Sequence, residues 1–193
     1  MQPDPWLERW LPRIRQHAAN APVLEIGCGS GADTASLVAA GLRVVAFDLS
    51  AAAVDQARAL VPTATFLVRD VREGFPPDVQ GTGVIIASLS LHYFPWSETV
   101  ALFSRIRHTL GPGGLFVCRL NSTQDINFGA AGHPEIEPNF YLVDGQPKRF
   151  FDQASVDALL CLGWDAISVQ HRVTGKYLKQ KSLWEIVCTK AAD

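Results

Sequence analysis

Val23-Leu24-Glu25-Ile26-Gly27-Cys28-Gly29-Ser30-Gly31 decides how this chain folds. Val23–Ile26 is a short apolar strand, and three glycines at alternate positions follow it directly. Without a Cβ, a glycine can turn sharply and let a ligand approach the backbone. The next stretch, Ala32 to Ala40, has helical composition and is followed by Gly41, a residue placed to end a helix. A strand, a glycine turn and a helix in that order put unpaired helix N–H groups beside the turn.

Outward from this turn the pattern repeats. Arg43–Phe47 reads as a second strand ending at Asp48, and Ser50 is placed to cap a helix through Leu60. Thr65–Arg69 reads as a third strand ending at Asp70. The stretch Glu73–Gly83 is loop with room for a helical turn. Val84–Ser88 is apolar throughout, as a strand buried on both faces of a parallel sheet should be. Ser97 is placed to cap a helix to Leu110, and Gly111-Pro112-Gly113-Gly114 connects it to a fifth strand, Leu115–Leu120.

Upstream, Trp6–Ala18 has helical spacing that Pro12 kinks or divides. Downstream, 121–149 is polar and irregular, which predicts an insert or lid. Asp152 then caps a helix to about Leu162, with Phe151 and Val156 spaced as a hydrophobic staple, and Gly163 ends it. Asp165–Arg172 and Leu183–Thr189 are two closing strands. They flank a basic loop with Lys176, Lys179 and Lys181 that reads as a solvated face.

Strands alternating with helices build an α/β fold: a Rossmann-like, doubly wound sheet, mostly parallel, with helices on both faces. The closing hairpin makes the sheet mixed. The expected organisation is one domain over 1–193, with a helical cap at 1–20 and a ligand-binding half at 23–120. An insert at 121–150 and a closing helix and hairpin at 151–193 complete it. Composition agrees. The chain has 193 residues, 48% of them hydrophobic and 19% charged, with a net charge of -2. That excludes a disordered chain and leaves no global basic field for nucleic acid. Cys28, Cys118, Cys161 and Cys188 are widely spaced, which fits free thiols in a reducing compartment, and no zinc spacing appears. No signal core or bilayer-length apolar run is present, so a cytoplasmic protein without membrane attachment is expected.

Ligands of such sheets bind at the carboxyl ends of the strands, at the switch point. Gly27–Gly31, Asp48, Asp70 and Ser88–His92 all fall there. Asp48 is placed to accept the two hydroxyls of a ribose, and Asp70 a hydrogen bond from an exocyclic amine. The spacing is Gly-x-Gly-x-Gly and lacks the longer Gly-x-Gly-x-x-Gly of nicotinamide sites, and Glu25 suits a ligand bearing positive charge.

These residues resemble the class I S-adenosylmethionine-dependent methyltransferases. Glu25-Ile26-Gly27-Cys28-Gly29-Ser30-Gly31 is similar to their first motif, and Val44-Val45-Ala46-Phe47-Asp48-Leu49-Ser50 to their second strand and acidic loop. Arg69-Asp70-Val71, Ala87-Ser88-Leu89-Ser90-Leu91-His92-Tyr93 and Leu110-Gly111-Pro112-Gly113-Gly114 look like the motifs after strands three and four and before strand five. The resemblance covers 23–120 well and the ending to Thr189 more loosely. The closing segment and small size resemble bacterial tellurite-resistance-type methyltransferases.

The resemblance implies S-adenosylmethionine as cofactor and a small-molecule methyl acceptor. It implies that Glu25 lies under the methionine moiety and that Gly27, Gly29 and Gly31 allow close approach, with Cys28 a small residue among them. Asp48 would hold the ribose, Leu49 the adenine face, and Asp70 with the Val71 N–H the adenine edge. Ala87 or Ser88 would offer a carbonyl to the cofactor's ammonium group. His92 is placed either as a general base or as a packing residue. No metal is expected. His133 with Glu135 reads as a metal or catalytic pair, or as solvated loop. Trp6 and Trp10 dock a helix on the sheet or cover the acceptor. Arg13, Arg15, Lys148 and Arg149 select an anionic acceptor or form a solvated face. The alternatives are a nicotinamide-dependent oxidoreductase and a non-catalytic cofactor-binding module. The Asn/Asp-Pro-Pro-aromatic motif of amino-methylating nucleic-acid enzymes is absent where Ser88-Leu89-Ser90-Leu91 stands. A monomer or homodimer without nucleic-acid partners is expected.

Overall fold

The computed structural model describes residues 5–175 and 178–192. Residues 1–4 of the N-terminal cap, Lys176 of the basic loop and Asp193 lie outside these. The N-terminal stretch divides as Pro12 requires: a 3-10 turn over Pro5–Trp10, then helix α1, Leu11–Ala18, with the proline in its first turn.

Five strands run parallel: β1 (Val23–Ile26), β2 (Val44–Asp48), β3 (Thr65–Val68), β4 (Thr82–Ser88) and β5 (Leu110–Asn121). Helices α2 (Ala32–Ala39), α3 (Ala51–Leu60) and α4 (Trp96–Thr109) connect them, with two 3-10 turns between β3 and β4. After α5 (Gln153–Leu160) come β9 (Trp164–Thr174) and β10 (Lys181–Lys190), an antiparallel pair. The spatial order is β3-β2-β1-β4-β5-β10-β9. The last strand therefore slots in between β5 and β9, antiparallel to both. The chain order reverses between β1 and β4, and this is the switch point.

Each face of the sheet has its own core. Leu24, Ile26, Ile85 and Phe116 pack under α4 and α5 through Phe103, Ile106, Val156 and Leu159. Alternate residues Val23, Val44, Ile86 and Val117 face the other way, under Leu7, Ile14, Leu37 and Val54. The near-continuous apolar strands are thus buried on both sides.

Local signals explain most boundaries. The Ser50 hydroxyl accepts from Ala53 N at 3.3 Å, capping α3. Asp152 and Ser155 form a reciprocal capping box on α5, and Phe151 and Val156 are both buried in one core cluster. Other boundaries are corrections. Ser97 does not cap α4, which begins one residue earlier at Trp96 with Pro95 before it. The carboxylate of Glu137, from the distant insert, accepts from Trp96 N at 2.5 Å instead. A helix end can recruit its acceptor through space, which sequence spacing does not reveal.

The insert is also more ordered than its composition predicts. It contains a three-stranded antiparallel sheet: β6 (Glu135–Glu137), β7 (Phe140–Val143) and β8 (Gln146–Arg149). Phe150 and Val143 are buried beneath it. Asp144-Gly145 makes the β7–β8 turn, with both residues at positive φ. Arg149 is no solvated charge. Its side chain is buried, ion-paired with Glu137, and its Nε donates to Phe94 O at 3.0 Å. Burial pulls its guanidinium down to about 10.

Lys181 is a further correction. It is buried, not part of a solvated loop, and its ammonium lies 2.7 Å from the Asp125 carboxylate. Asp125 also accepts from Ser182 N at 3.0 Å, tying the insert's start to β10. Losing one partner leaves the other charge buried and uncompensated. Asp125→Ala is therefore expected to lower stability by about 3–5 kcal/mol in urea denaturation. The paired change Asp125→Leu with Lys181→Met should recover most of that loss.

Candidate active site

The glycine loop sits where β1 meets β4. Gly27 has φ +72°, and a Cβ placed there would lie 2.3 Å from the Ser90 Cβ. Only glycine lets the two strand ends meet this closely. Ser90 then donates to Ile26 O at 2.6 Å and closes the contact. Gly29 differs: at φ +52°, a Cβ there would meet nothing within 4 Å. It borders a cavity of about 960 Å³. That is the upper end of the roughly 300–1,000 Å³ that ligand sites span.

Asp48, at the end of β2, organises one side of this cavity. Its Oδ2 accepts from Gly29 N and its Oδ1 from Ser50 N, both at 2.9 Å. Each oxygen keeps a further lone pair for a ligand. Leu49 beside it is 67% exposed, an apolar surface at the cavity edge. Val71, Phe47 and Ile26 continue the wall.

The far wall comes from the end of β4 and the loop after it, through Ser88, Leu89, Ser90, Tyr93 and Phe94. Leu89 has φ +55°, a left-handed conformation that costs a leucine of order 1–3 kcal/mol. Its N–H is held by Arg119 O at 2.9 Å. The β8 residues Gln146, Pro147 and Lys148 close the cavity from the insert side.

The cavity thus gathers Gly27, Gly29, Asp48, Leu49, Val71 and Ser88. Four other candidates are not in its lining. Glu25 is buried with Thr34, whose hydroxyl donates to it at 2.5 Å. Burial raises its carboxyl to about 8, with the nearby charges of Asp33 and Asp48 adding to the effect. Cys28 packs into the core under the N-terminal helix, and burial pushes its thiol up to about 12. Gly31 begins α2 at φ +87°, against Ala57. Asp70 turns its carboxylate to Arg72 N at 2.8 Å and caps the short Val71–Glu73 turn.

His92 lies behind Tyr93, outside the cavity lining, with ring centroids 4.2 Å apart. It is buried, its Nδ1 has no hydrogen-bond partner, and its carbonyl accepts from Arg149 N at 2.6 Å. Burial lowers its pKa to about 3, and the charges of Lys181 and Lys148 reinforce this, so the imidazole is neutral at physiological pH.

Arg69 and Ser90 stand within the motifs quoted above without a role of their own, and Arg72 is not singled out by the sequence. Arg72 pairs with Glu98 at 2.7 Å and lies over the Phe94 ring. Trp6 is buried, donates to Asp33 at 2.9 Å and lies under the Arg119 guanidinium. With Arg9, Arg172 and Glu185 it lines a separate cavity of about 340 Å³. Arg119 links the two cavities, its Nε donating to Ser88 Oγ at 2.9 Å. Glu135 accepts from Asn139 N at 3.1 Å within the insert, and no metal-holding cluster of three His, Cys, Asp or Glu occurs among the described residues. Cys28, Cys118 and Cys188 are buried free thiols, and Cys161 is exposed. No helix among the described residues is long and apolar enough to cross a membrane.

The fold is shared with solved S-adenosylmethionine-dependent methyltransferases. A S-adenosylmethionine-dependent methyltransferase from Methanosarcina mazei superposes with a TM-score of 0.76 at 14% identity, covering 94% of this chain and 98% of that one. Residues 23–114 match the family model of the methyltransferase domain. An uncharacterized methyltransferase of Synechocystis is 32% identical over 94 residues, covering 49% of this chain and 44% of its own length. A trans-aconitate 2-methyltransferase of Paracidovorax citrulli is 31% identical over 112 residues, covering 57% and 42% respectively. The matches thus span less than half the length of these curated relatives.

The residues at the cavity fit the family's cofactor. An open backbone at Gly29, a carboxylate at Asp48 with lone pairs to spare and an exposed apolar Leu49 are the surfaces that a sugar with an attached base requires.

Glu25 provides a test independent of any ligand. Its folded pKa of about 8 stands above the ordinary 4.5, so the folded state holds a proton that the unfolded state releases. The resulting stability is full below about pH 4.5 and is lost as pH rises through about 8. In thermal melts from pH 5 to pH 8.5, the wild type should lose more Tm than Glu25→Gln. Parallel curves would refute the raised carboxyl.

Proposed function

We propose that this protein transfers the methyl group of S-adenosylmethionine to a small-molecule acceptor. The observation that carries it is the cavity at the β1–β4 switch point, with Gly29, Asp48, Leu49 and Val71 on one side and Ser88 to Tyr93 on the other. A small acceptor is favoured because the insert closes this cavity with Gln146, Pro147 and Lys148. The trans-aconitate relative, by its name, also acts on a small molecule. The near-neutral composition supports the same reading and a protein without nucleic-acid partners, and the free thiols suit a reducing compartment such as the cytoplasm.

When bound, the cofactor supplies an activated methyl group on a sulfonium. The chain needs no covalent nucleophile of its own. Asp48 orients the ribose through its two oxygens, and Asp70 with the Val71 N–H reads the adenine edge. Gly29 admits the cofactor close to the backbone, while Gly27 and Gly31 let the loop pack against Ser90 and Ala57. Glu25, backed by Thr34, supports the methionine end from below the loop, and the Ser88 carbonyl faces the ammonium group. The wall from Ser88 to Tyr93 holds the acceptor in line with the bond that breaks. That wall would keep the acceptor's lone pair facing the transferable methyl group. An acceptor with an O–H or N–H would pass that proton to water, since His92 lies outside the cavity lining. Such alignment can contribute up to about 7–11 kcal/mol in favourable cases.

His92 acts by position in this reading. Its uncharged ring backs Tyr93, and its carbonyl holds β8 against the acceptor wall.

S-adenosylhomocysteine should bind and raise Tm. Asp48→Asn should weaken that binding at least ~10-fold, about 1.4 kcal/mol. Absence of binding to the wild type, together with a fluorescence response to NADH, would favour the oxidoreductase alternative. Binding without turnover against a broad acceptor panel would favour a non-catalytic module.

His92→Ala is expected to lower kcat while leaving S-adenosylhomocysteine affinity within a few-fold. A pH–rate inflection near 6.5 that disappears in His92→Asn would instead make His92 the general base.

A further inference from the structure

The basic pair Lys148-Arg149 divides into two roles. Arg149 turns inward, and its contacts with Glu137 and Phe94, plus its N–H to His92, lock β8 onto the loop after β4. Lys148, the residue before it, takes no part in that lock. It is half-buried on the cavity wall. Two other cations line the cavity, on either side of Val71. Arg69 donates to Gly74 O at 2.9 Å and Arg72 is paired with Glu98. Among the described residues, Lys148 has no hydrogen-bond or carboxylate partner. The nearby carboxylate of Asp125 is already paired with Lys181. Lys148 therefore brings a positive charge to the acceptor side of a cavity whose one acidic wall residue, Asp48, stands on the cofactor side. Tyr93, 41% exposed, and Pro147 supply apolar surface beside it.

We propose that Lys148 selects the acceptor by taking its anionic group, a carboxylate or a phosphate, while the acceptor's apolar part lies between Tyr93 and Pro147. This rests on the methyl-transfer reading and names its substrate class. The anchoring of β8 through Arg149 makes it specific, because the ammonium is held at a set place relative to the end of β4. A charge at that place favours an anion over its neutral analogue and orients the acceptor's other end toward Ser88.

The test uses protein saturated with S-adenosylhomocysteine and follows Tm at constant ionic strength, with chloride as reference. Benzoate and phenyl phosphate are the anionic probes and benzamide the neutral one. At least one anion should raise Tm above both chloride and benzamide, and which one does so identifies carboxylate or phosphate as the preferred group. Lys148→Gln should abolish this response and Lys148→Arg should retain it, with S-adenosylhomocysteine affinity changed less than threefold in both. For any acid found to be methylated, Lys148→Gln should raise KM at least tenfold with little change in kcat. An equal response to benzamide, no anion response in the wild type, or an undiminished response in Lys148→Gln overturns the proposal. A threefold or greater loss of S-adenosylhomocysteine affinity in Lys148→Gln also overturns it, assigning Lys148 to the cofactor's own carboxylate. Failure of the wild type to bind S-adenosylhomocysteine at all overturns the methyl-transfer reading instead.

Discussion

The contact between the ends of β1 and β4 governs this molecule. Gly27 lets the backbone after β1 come against Ser90, and Ser90 returns a hydrogen bond to Ile26 O. A single methyl group at Gly27 would push these ends apart. With them joined, the loops that leave the two strands diverge to opposite faces, and the cavity opens between them. The parallel sheet below supplies the rigidity, since both its faces are covered and its strands cannot shift without opening a core.

A second layer of constraint is electrostatic. Asp48 ties the glycine loop to the start of α3 through Gly29 N and Ser50 N, so one carboxylate fixes two loops and still faces the cavity. Glu25 beneath the loop is buried deeply enough to favour its protonated form. On the opposite side the charges are positive. Arg119 rests on Trp6, Lys181 on Asp125, and Lys148 reaches the cavity wall.

The Rossmann-like half was legible because its signals are local. Strand, glycine turn, helix and capping residue lie within a few positions of one another, as at Ser50 and at Asp152 with Ser155. The insert was read less well for the same reason. Its strands are short, and the residues that organise it, Arg149 and Glu137, act on Phe94 and Trp96 about 40 to 55 positions away. The basic loop misled because a lysine in a polar run gives no sign of a carboxylate 56 residues earlier.

By itself the sequence determined the alternation of strands and helices, the glycine turn and the acidic strand ends, because period and spacing are properties of neighbouring residues. Only the tertiary structure decided which candidates face the cavity. Asp48 and Leu49 do, whereas Cys28 and His92 sit behind the wall. It also decided that of Lys148 and Arg149 one is a buried strut and the other a charge on the cavity wall. The physical reason is that what each side chain packs against belongs to distant parts of the chain.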